Sequence, residues 1–322
     1  MLRFALRRAL STVVVLWAIS VMVFLIFFGT PGVDPALRIA GRDASPQVVA
    51  TVRHEYGLDK PLPVRYALMM YHLLIRRDIT SYVNPGLKVV PEIASAVPVT
   101  LSLVIGAAVI WMLVGLAMGL VGGARRGSPI DPLLTAVGVL GVSLPVYWLG
   151  EVVNLITQSR LHGSLFSWVP PPGYVSPAQS LSGWALHLLF PWLTLAVLYA
   201  GIYSRVFRAE LVTALGEDYV RTARAKGISE RRVLFRHAAR CSLIPVISLF
   251  GLDFGALVGG GALVTEVVFG LPGIGLLTYN SLQTLDLPVI MGTVLYAAFF
   301  VVLANAVVDV FYAALDPRVR RA

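Results

Sequence analysis

Charge is what this sequence has least of. Only 13% of its 322 residues are Asp, Glu, Lys or Arg, against the roughly 25% typical of a soluble domain. With 57% hydrophobic residues and a mean hydropathy of +0.79, too few charges remain to coat a water-facing surface. A large soluble enzyme is excluded on that ground, and so is intrinsic disorder, which requires low hydrophobicity. Cysteine is nearly absent. The single Cys241 excludes an internal disulfide framework and a Cys-based zinc site. The five histidines (His54, His72, His162, His187, His237) form no HExxH and no i, i+4 pair, so no metal site is expected. Lysine is scarce too: Lys60, Lys88 and Lys226 are the only three, and none follows a glycine. A phosphate-binding loop G-x-x-x-x-G-K-[ST] is therefore missing, and this chain has no ATPase site of its own. No GxSG occurs and no histidine falls clearly within an apolar run, which leaves an intramembrane hydrolase without its nucleophile and base. No inverted internal repeat, the mark of many secondary transporters, is visible.

What the sequence does have is long apolar runs. A spanning helix needs about 20 mostly apolar residues, and these runs are too long and too unbroken for the alternating strands of a membrane barrel. Six spans are expected: 9–28, 97–122, 133–157, 186–207, 243–268 and 289–315. The first resembles a signal peptide, but its apolar stretch is long and no A-x-A site follows, so it reads as an uncleaved helix. The basic residues orient the chain. The N-terminus (Arg3, Arg7, Arg8), the 123–132 connector (Arg125, Arg126), the segment from Arg205 to Arg240 and the C-terminus (Arg318, Arg320, Arg321) together carry seventeen Lys and Arg. Among the short connectors of the other side only Arg160 is basic. By the positive-inside rule both termini and the 208–242 segment are cytoplasmic. The net charge of +9 is thus a topology signal and a match to anionic lipid. The bases are split among separate segments without interleaved aromatics, so no nucleic-acid partner is expected. The fold class is an all-α polytopic membrane protein. It divides into residues 1–30 (N-terminus and first helix), 31–96 (extracytoplasmic loop), 97–315 (helices two to six) and 316–322 (cytoplasmic tail).

The outer loop carries turn signals at Thr30-Pro31-Gly32, Asp34-Pro35 and Asn84-Pro85-Gly86. Ser45-Pro46 opens a short helix, and Tyr66 to Ile75 is apolar enough to pack on the membrane face. The basic segment reads Glu217-Asp218-Tyr219-Val220-Arg221-Thr222-Ala223-Arg224-Ala225-Lys226-Gly227. Acidic residues first and basic residues after suit the dipole of a short helix. Gly227 can end it in a left-handed conformation, and Ser229 can cap a second short helix through Arg231, Arg232 and Val233. On pattern alone this is also an ordinary helical hairpin at a membrane surface.

The stretch from Asp218 to Gly227, followed by Arg236-His237-Ala238-Ala239-Arg240 and Ile244-Pro245, resembles the cytoplasmic "EAA" loop of ABC-importer permeases of the dipeptide, oligopeptide and nickel branch. So do Tyr56-Gly57-Leu58-Asp59-Lys60-Pro61-Leu62-Pro63, Arg125-Arg126-Gly127-Ser128 with Asp131, and Ser143-Leu144-Pro145-Val146-Tyr147-Trp148-Leu149-Gly150. Glu266-Val267-Val268-Phe269, Pro272-Gly273-Ile274-Gly275 and Leu315-Asp316-Pro317-Arg318 complete the series in order. Three positions depart from that pattern. Arg221-Thr222-Ala223 stands at the triplet, Cys241-Ser242 where Asn-Ala is usual, and Asp253 where a neutral polar residue is expected.

The resemblance implies the type I ABC-importer permease fold with six transmembrane helices, in a bacterial or archaeal plasma (inner) membrane. It implies a second homologous permease, two ABC ATPase subunits that bind ATP-Mg, and an extracytoplasmic solute-binding protein that delivers the cargo. Peptides are the leading cargo; nickel, haem, glutathione or oligosaccharide are alternatives. It also places ATPase coupling on Glu217, Asp218, Tyr219, Arg221, Thr222, Ala223, Arg224, Ala225, Lys226 and Gly227. From the residues themselves, charged groups inside spans are functional candidates. Glu151, Asn154 one turn on, and Asp253 are the candidates for the translocation path, where an acidic lining would attract a peptide amino terminus. Pairing with a polar neighbour is the other reading of each. Gly115, Gly119 and Gly123, and Gly251, Gly255 and Gly259, allow close helix approach, either at a mobile permease–permease interface or in static packing.

Overall fold

The computed structural model describes residues 2–28, 35–41, 44–55, 57–84, 86–159 and 162–315. In chain order the helices are α1 (Leu2–Phe28), α2 (Pro35–Ala40), α3 (Pro46–Glu55), α4 (Leu62–Met70), α5 (Val89–Ala124), α6 (Ile130–Ser143) and α7 (Val146–Gln158). They continue as α8 (Leu181–Gly216), α9 (Asp218–Ala225), α10 (Glu230–Arg232), α11 (Ala239–Ala256), α12 (Leu263–Phe269), α13 (Ile274–Thr284) and α14 (Leu287–Leu315). Among the described residues there is no strand, only an isolated bridge between Thr80 and Lys88. The protein is all-α, as its sequence implies. The turns at Thr30-Pro31-Gly32 and Asp34, the residues Tyr56, Pro85 and Arg160, and the 316–322 tail with Asp316-Pro317-Arg318, Arg320 and Arg321 lie outside the described residues.

The direction of each long helix follows from which residues meet. A side chain at Gly115 would touch Tyr203 and Ala200, one at Gly119 the Ser204 carbonyl at 2.7 Å, and one at Gly123 Leu211 at 2.8 Å. Numbers rise together, so α5 and α8 run parallel. Gly141 instead meets Val197, and Gly138 meets Gly201, so α6 runs against α8. Gly251, Gly255 and Gly259 meet Val308, Ala304 and Ala297 in turn, which makes α11 and α14 antiparallel. Both glycine rows are thus consumed inside one chain. Of the two readings left open by their spacing, packing within the chain is the one these contacts support.

Two of the expected spans need correction. The 133–157 run is not one helix. Leu144 is extended (ψ 122°), the conformation that a following proline favours, and here it ends α6, whereas α5, α8 and α11 run on through Pro98, Pro191 and Pro245. The pair α6–α7 consequently bends by 91°. The 243–268 run is also broken: α11 gives way to a π turn, Leu257–Gly261, in which Gly260 has φ +112°, and α12 follows as a separate helix. Since α11 and α14 are antiparallel neighbours, the chain between them starts and ends on one side. The α12–α13 pair, bent by 85°, is therefore a return on that side rather than a crossing. The crossings are α1, α5, α6–α7, α8, α11 and α14.

The core lies where α5, α8 and α11 meet: Leu103, Trp111, Leu188, Tyr203, Leu211 and Val246 are all fully buried. Large apolar side chains such as Leu113, Leu133, Leu140 and Leu155 remain exposed around it, as expected for a surface that faces lipid rather than water. Residues 35–88 form a small helical unit on the face opposite α9. The expected helix at Ser45-Pro46 is α3, with the Val48 amide donating to Ser45 Oγ at 3.4 Å. Ala36, Val49 and Leu58 make its own core, while Phe24, Met69 and Met291 join it to α1 and α14. Asp286 fastens it from below, accepting from the Ser81 hydroxyl and from the Tyr82 amide at 3.0 Å.

Candidate functional site

The basic segment is a helical hairpin held beneath the bundle by α8. Helix α9 starts directly after α8, with Glu217 extended between them (ψ 152°). Its end is fixed by two backbone bonds. The Gly227 amide donates to Arg224 O at 2.9 Å and the Ile228 amide to Ala223 O at 3.2 Å. That pairing requires a left-handed residue at the turn, and Gly227 supplies it with φ +75°. Val220 and Ala223 on α9 bury against Val233, with Ile228 closing the small cluster. The opposite face is open: Asp218, Tyr219, Arg221, Thr222, Arg224, Ala225, Lys226 and Gly227 are exposed.

Arg224 locks the hairpin. Its guanidinium donates from Nε to Glu230 Oε1 at 2.8 Å and from a terminal nitrogen to Oε2 at 3.2 Å. The Glu230 hydrogen bond, ahead of a small opposing burial, holds Arg224 above its ordinary pKa. The expected Ser229 cap does not form: the helix begins at Glu230, yet the Ser229 side chain makes no capping bond. A π turn, Val233–Ala238, then leads into α11. Ala223 is 95% buried within the hairpin, being 5% exposed. Of the expected coupling residues it is therefore the one that cannot present itself to another molecule.

Two further side chains tie α8, which carries the hairpin, to α6. On α8, Arg208 donates to Asp131 of α6 through Nε at 2.5 Å and through a terminal nitrogen at 2.6 Å. The pair lies against Gly122 of α5, where an added Cβ would make only ordinary contacts, 3.4 Å from Asp131 and 3.5 Å from Arg208. In the sequence, Asp131 stands only within a motif and nothing singles out Arg208. An arginine and an aspartate flanking two apolar runs were the available signal.

Of the three expected path residues, Glu151 and Asn154 share α7 and Asp253 stands on α11. Helix α7, with Glu151 and Asn154, packs on α12 and α8; α11, with Asp253, packs on α14 and α8. Asn154 is occupied, donating from Nδ2 to Val268 O at 2.9 Å, which stitches α7 to α12. Glu151 is exposed. Asp253 is half-buried and accepts from the Tyr203 hydroxyl at 2.9 Å. Beside Tyr203 lies an aromatic stack, with the Trp111 and Tyr199 ring centroids 4.8 Å apart and Phe250 6.0 Å from Trp111. Glu266, which its motif and its place near the end of a span mark as a structural or docking acid, is fully buried. It accepts from Thr100 Oγ1 at 2.7 Å and from the Leu276 amide at 3.0 Å, while Thr100 Oγ1 also accepts from the Ile274 amide at 2.9 Å. A carboxylate at the first turn of α13 is favourably placed against the helix dipole, and it clamps the α12–α13 return to α5.

Comparison with known proteins decides the family. Residues 112–321 match the model of the binding-protein-dependent transport system inner membrane component, and residues 1–104 match that of its N-terminal region. The chain belongs to this family of ABC-importer permeases. It is 37% identical over 315 residues to a peptide transport system permease protein of Brucella abortus, covering 98% of each chain. It is 34% identical over 317 residues to a peptide ABC transporter permease of Sinorhizobium fredii, covering 98% of this chain and 99% of that one. It is also 39% identical over 320 residues to the glutathione transport system permease protein of Salmonella typhimurium, covering 99% of each. The permease is thus a multi-pass inner-membrane transport subunit of the peptide type, and permeases of this family work with ATPase and binding-protein partners.

Proposed function

We propose that this permease moves small peptides or peptide-like thiols such as glutathione, received from a solute-binding protein, and that it pairs with a second homologous permease above two ATPase subunits. Both termini and α9 face the cytoplasm of a bacterial or archaeal cell, in line with the positive-inside count. The exposed face of α9 (Glu217, Asp218, Tyr219, Arg221, Thr222, Arg224, Ala225, Lys226 and Gly227) is the coupling surface, and Ala223 serves it from inside. The observation that carries this reading is the rigid hairpin itself. A short helix closed at Gly227 and locked by Arg224–Glu230 presents a fixed polar face at the end of α8, so a partner that pushes α9 moves α8 as a body.

Glu151 and Asp253 are the path candidates. What supports Asp253 is that one carboxylate oxygen is engaged by Tyr203 while the side chain remains half-exposed. Two carboxylates on separate helices suit the amine of a passing peptide better than a hydrolytic pair. The experiment is reconstitution with the ATPases, the second permease and the binding protein. An Ala225→Arg substitution on the exposed face should abolish ATP-driven uptake while leaving the permease folded. Uptake at the normal rate would sink the coupling assignment, and uptake driven by an ion gradient without ATPases would sink the importer reading.

A further inference from the structure

Between α1, α4 with its following π turn (Tyr71–Arg76), α5 and α14 runs a cavity of about 630 Å³. Its wall is almost wholly apolar, with Val13, Leu16, Trp17, Met70, Leu295 and Phe299 among the lining residues. Of its polar side chains, Ser20 and Tyr66 satisfy one another at 2.5 Å, Ser20 also donates to Trp17 O at 2.7 Å, and Tyr296 adds a buried hydroxyl without a partner among the described residues. The wall therefore asks for an aliphatic occupant. Arg77 also lines the cavity and is exposed. Its neighbour Arg76 is engaged with Asp78 at 3.8 Å and lies over the Tyr71 ring, but among the described residues no carboxylate pairs with Arg77. Arg77 also holds a left-handed conformation, φ +57°, which glycine would adopt without steric cost; the chain places a guanidinium there instead.

We infer that this groove holds one acyl chain of an anionic phospholipid whose phosphate sits on Arg77. The length fits. On α14 the lining runs from Gly292 to Phe299, about 10 Å at 1.5 Å per residue, which lies within the about 15 Å of one leaflet's hydrocarbon, and Arg77 lines the same groove. The leaflet is the outer one on the orientation proposed above.

The test is photolabelling of the assembled importer in nanodiscs with phosphatidylglycerol that carries a diazirine in its acyl chain, read by peptide mass spectrometry. Label should concentrate on the α1 stretch 13–20 and the α14 stretch 292–299. Arg77→Ala should lower it at least threefold, and phosphatidylcholine with the same diazirine should label at least threefold less. Free inorganic phosphate should not compete. Leu295→Trp, which fills the groove, should abolish it; Arg77→Ala, at an exposed position, keeps the test valid should the tryptophan variant not fold. Label spread evenly around the helices, or unchanged by Arg77→Ala, overturns the inference. So does a groove that stays unlabelled and instead cross-links to the second permease through a cysteine placed at Leu74. The readout needs no transport, so its failure is separable from failure of the coupling assignment.

Discussion

Replacing Gly227 by residues of graded tolerance for positive φ separates turn geometry from bulk. A Cβ added at Gly227 would meet nothing within 4 Å, so substitution creates no clash within the chain. The cost is the backbone conformation at φ +75°, about 1–2 kcal/mol for an ordinary L-residue and less for asparagine, which is the other common residue at this helix-end position. At 1.4 kcal/mol per factor of ten, Gly227→Val should weaken ATPase docking by about 5- to 30-fold through backbone strain alone, whereas Gly227→Asn should stay within about threefold. The assay is ATPase affinity for the detergent-purified permease pair, alongside ATP-driven uptake in proteoliposomes. Equal losses for Asn and Val would refute the argument, because side-chain bulk on the docking face rather than the turn would then be responsible. Wild-type docking by the valine variant would remove α9 from the coupling surface altogether.

Breaking the Glu266 clamp should loosen the α12–α13 return: Glu266→Ala leaves the Thr100 hydroxyl and the Leu276 amide without their acceptor, a loss of about 1–3 kcal/mol read as a lower melting temperature, and an unchanged melt would contradict the clamp. A double-mutant cycle of Asp131→Asn and Arg208→Gln should give a coupling energy of about 1–3 kcal/mol, since the hydrogen bonds are charge-assisted but Arg208 is 32% exposed; additivity within error would show that the pair is idle. In the 35–88 unit, the His72 hydrogen bond, with help from the His72 and Arg76 charges and against desolvation, holds the Asp78 carboxyl below its ordinary 3.8. A depressed carboxyl contributes stability that is present above its unfolded pKa and lost as pH falls through the folded one. The His72–Asp78 contact should thus persist down to about pH 3.8 and fail below it, and a carboxyl NMR titration with a midpoint at or above 3.8 would be inconsistent with the bond.

Much of this architecture was legible because lipid leaves few choices: apolar length names the spans. The bends were less so. Hydropathy runs straight through Leu144-Pro145 and through the Gly259-Gly260-Gly261 run, although both carry a local steric instruction to break. Helix α5 begins at Val89 rather than near Val97 because Glu92 and Ser95 mask its first turns in a hydropathy reading. The α9 helix and its Gly227 ending were readable, since dipole order and a terminal glycine are local signals. The inward turn of Ala223 was not, because it depends on where Val233 of the next element comes to rest. Asn154 looked like a path residue from spacing alone, and only its long-range bond to Val268 accounts for it otherwise.

Helix α8 has the proportions of a lever. Its 36 residues make a rod of about 54 Å, interrupted inside only by Pro191. The Arg208–Asp131 pair grips it about 12 Å from the end that carries α9 and about 25 Å from Pro191. With that grip as fulcrum, each ångström of sideways push at α9 becomes about two at the proline, past the level of Tyr203 and its bond to Asp253. A small stroke on the energy-consuming side would then arrive magnified at mid-membrane, and moving the fulcrum along the rod would change the gearing of the importer.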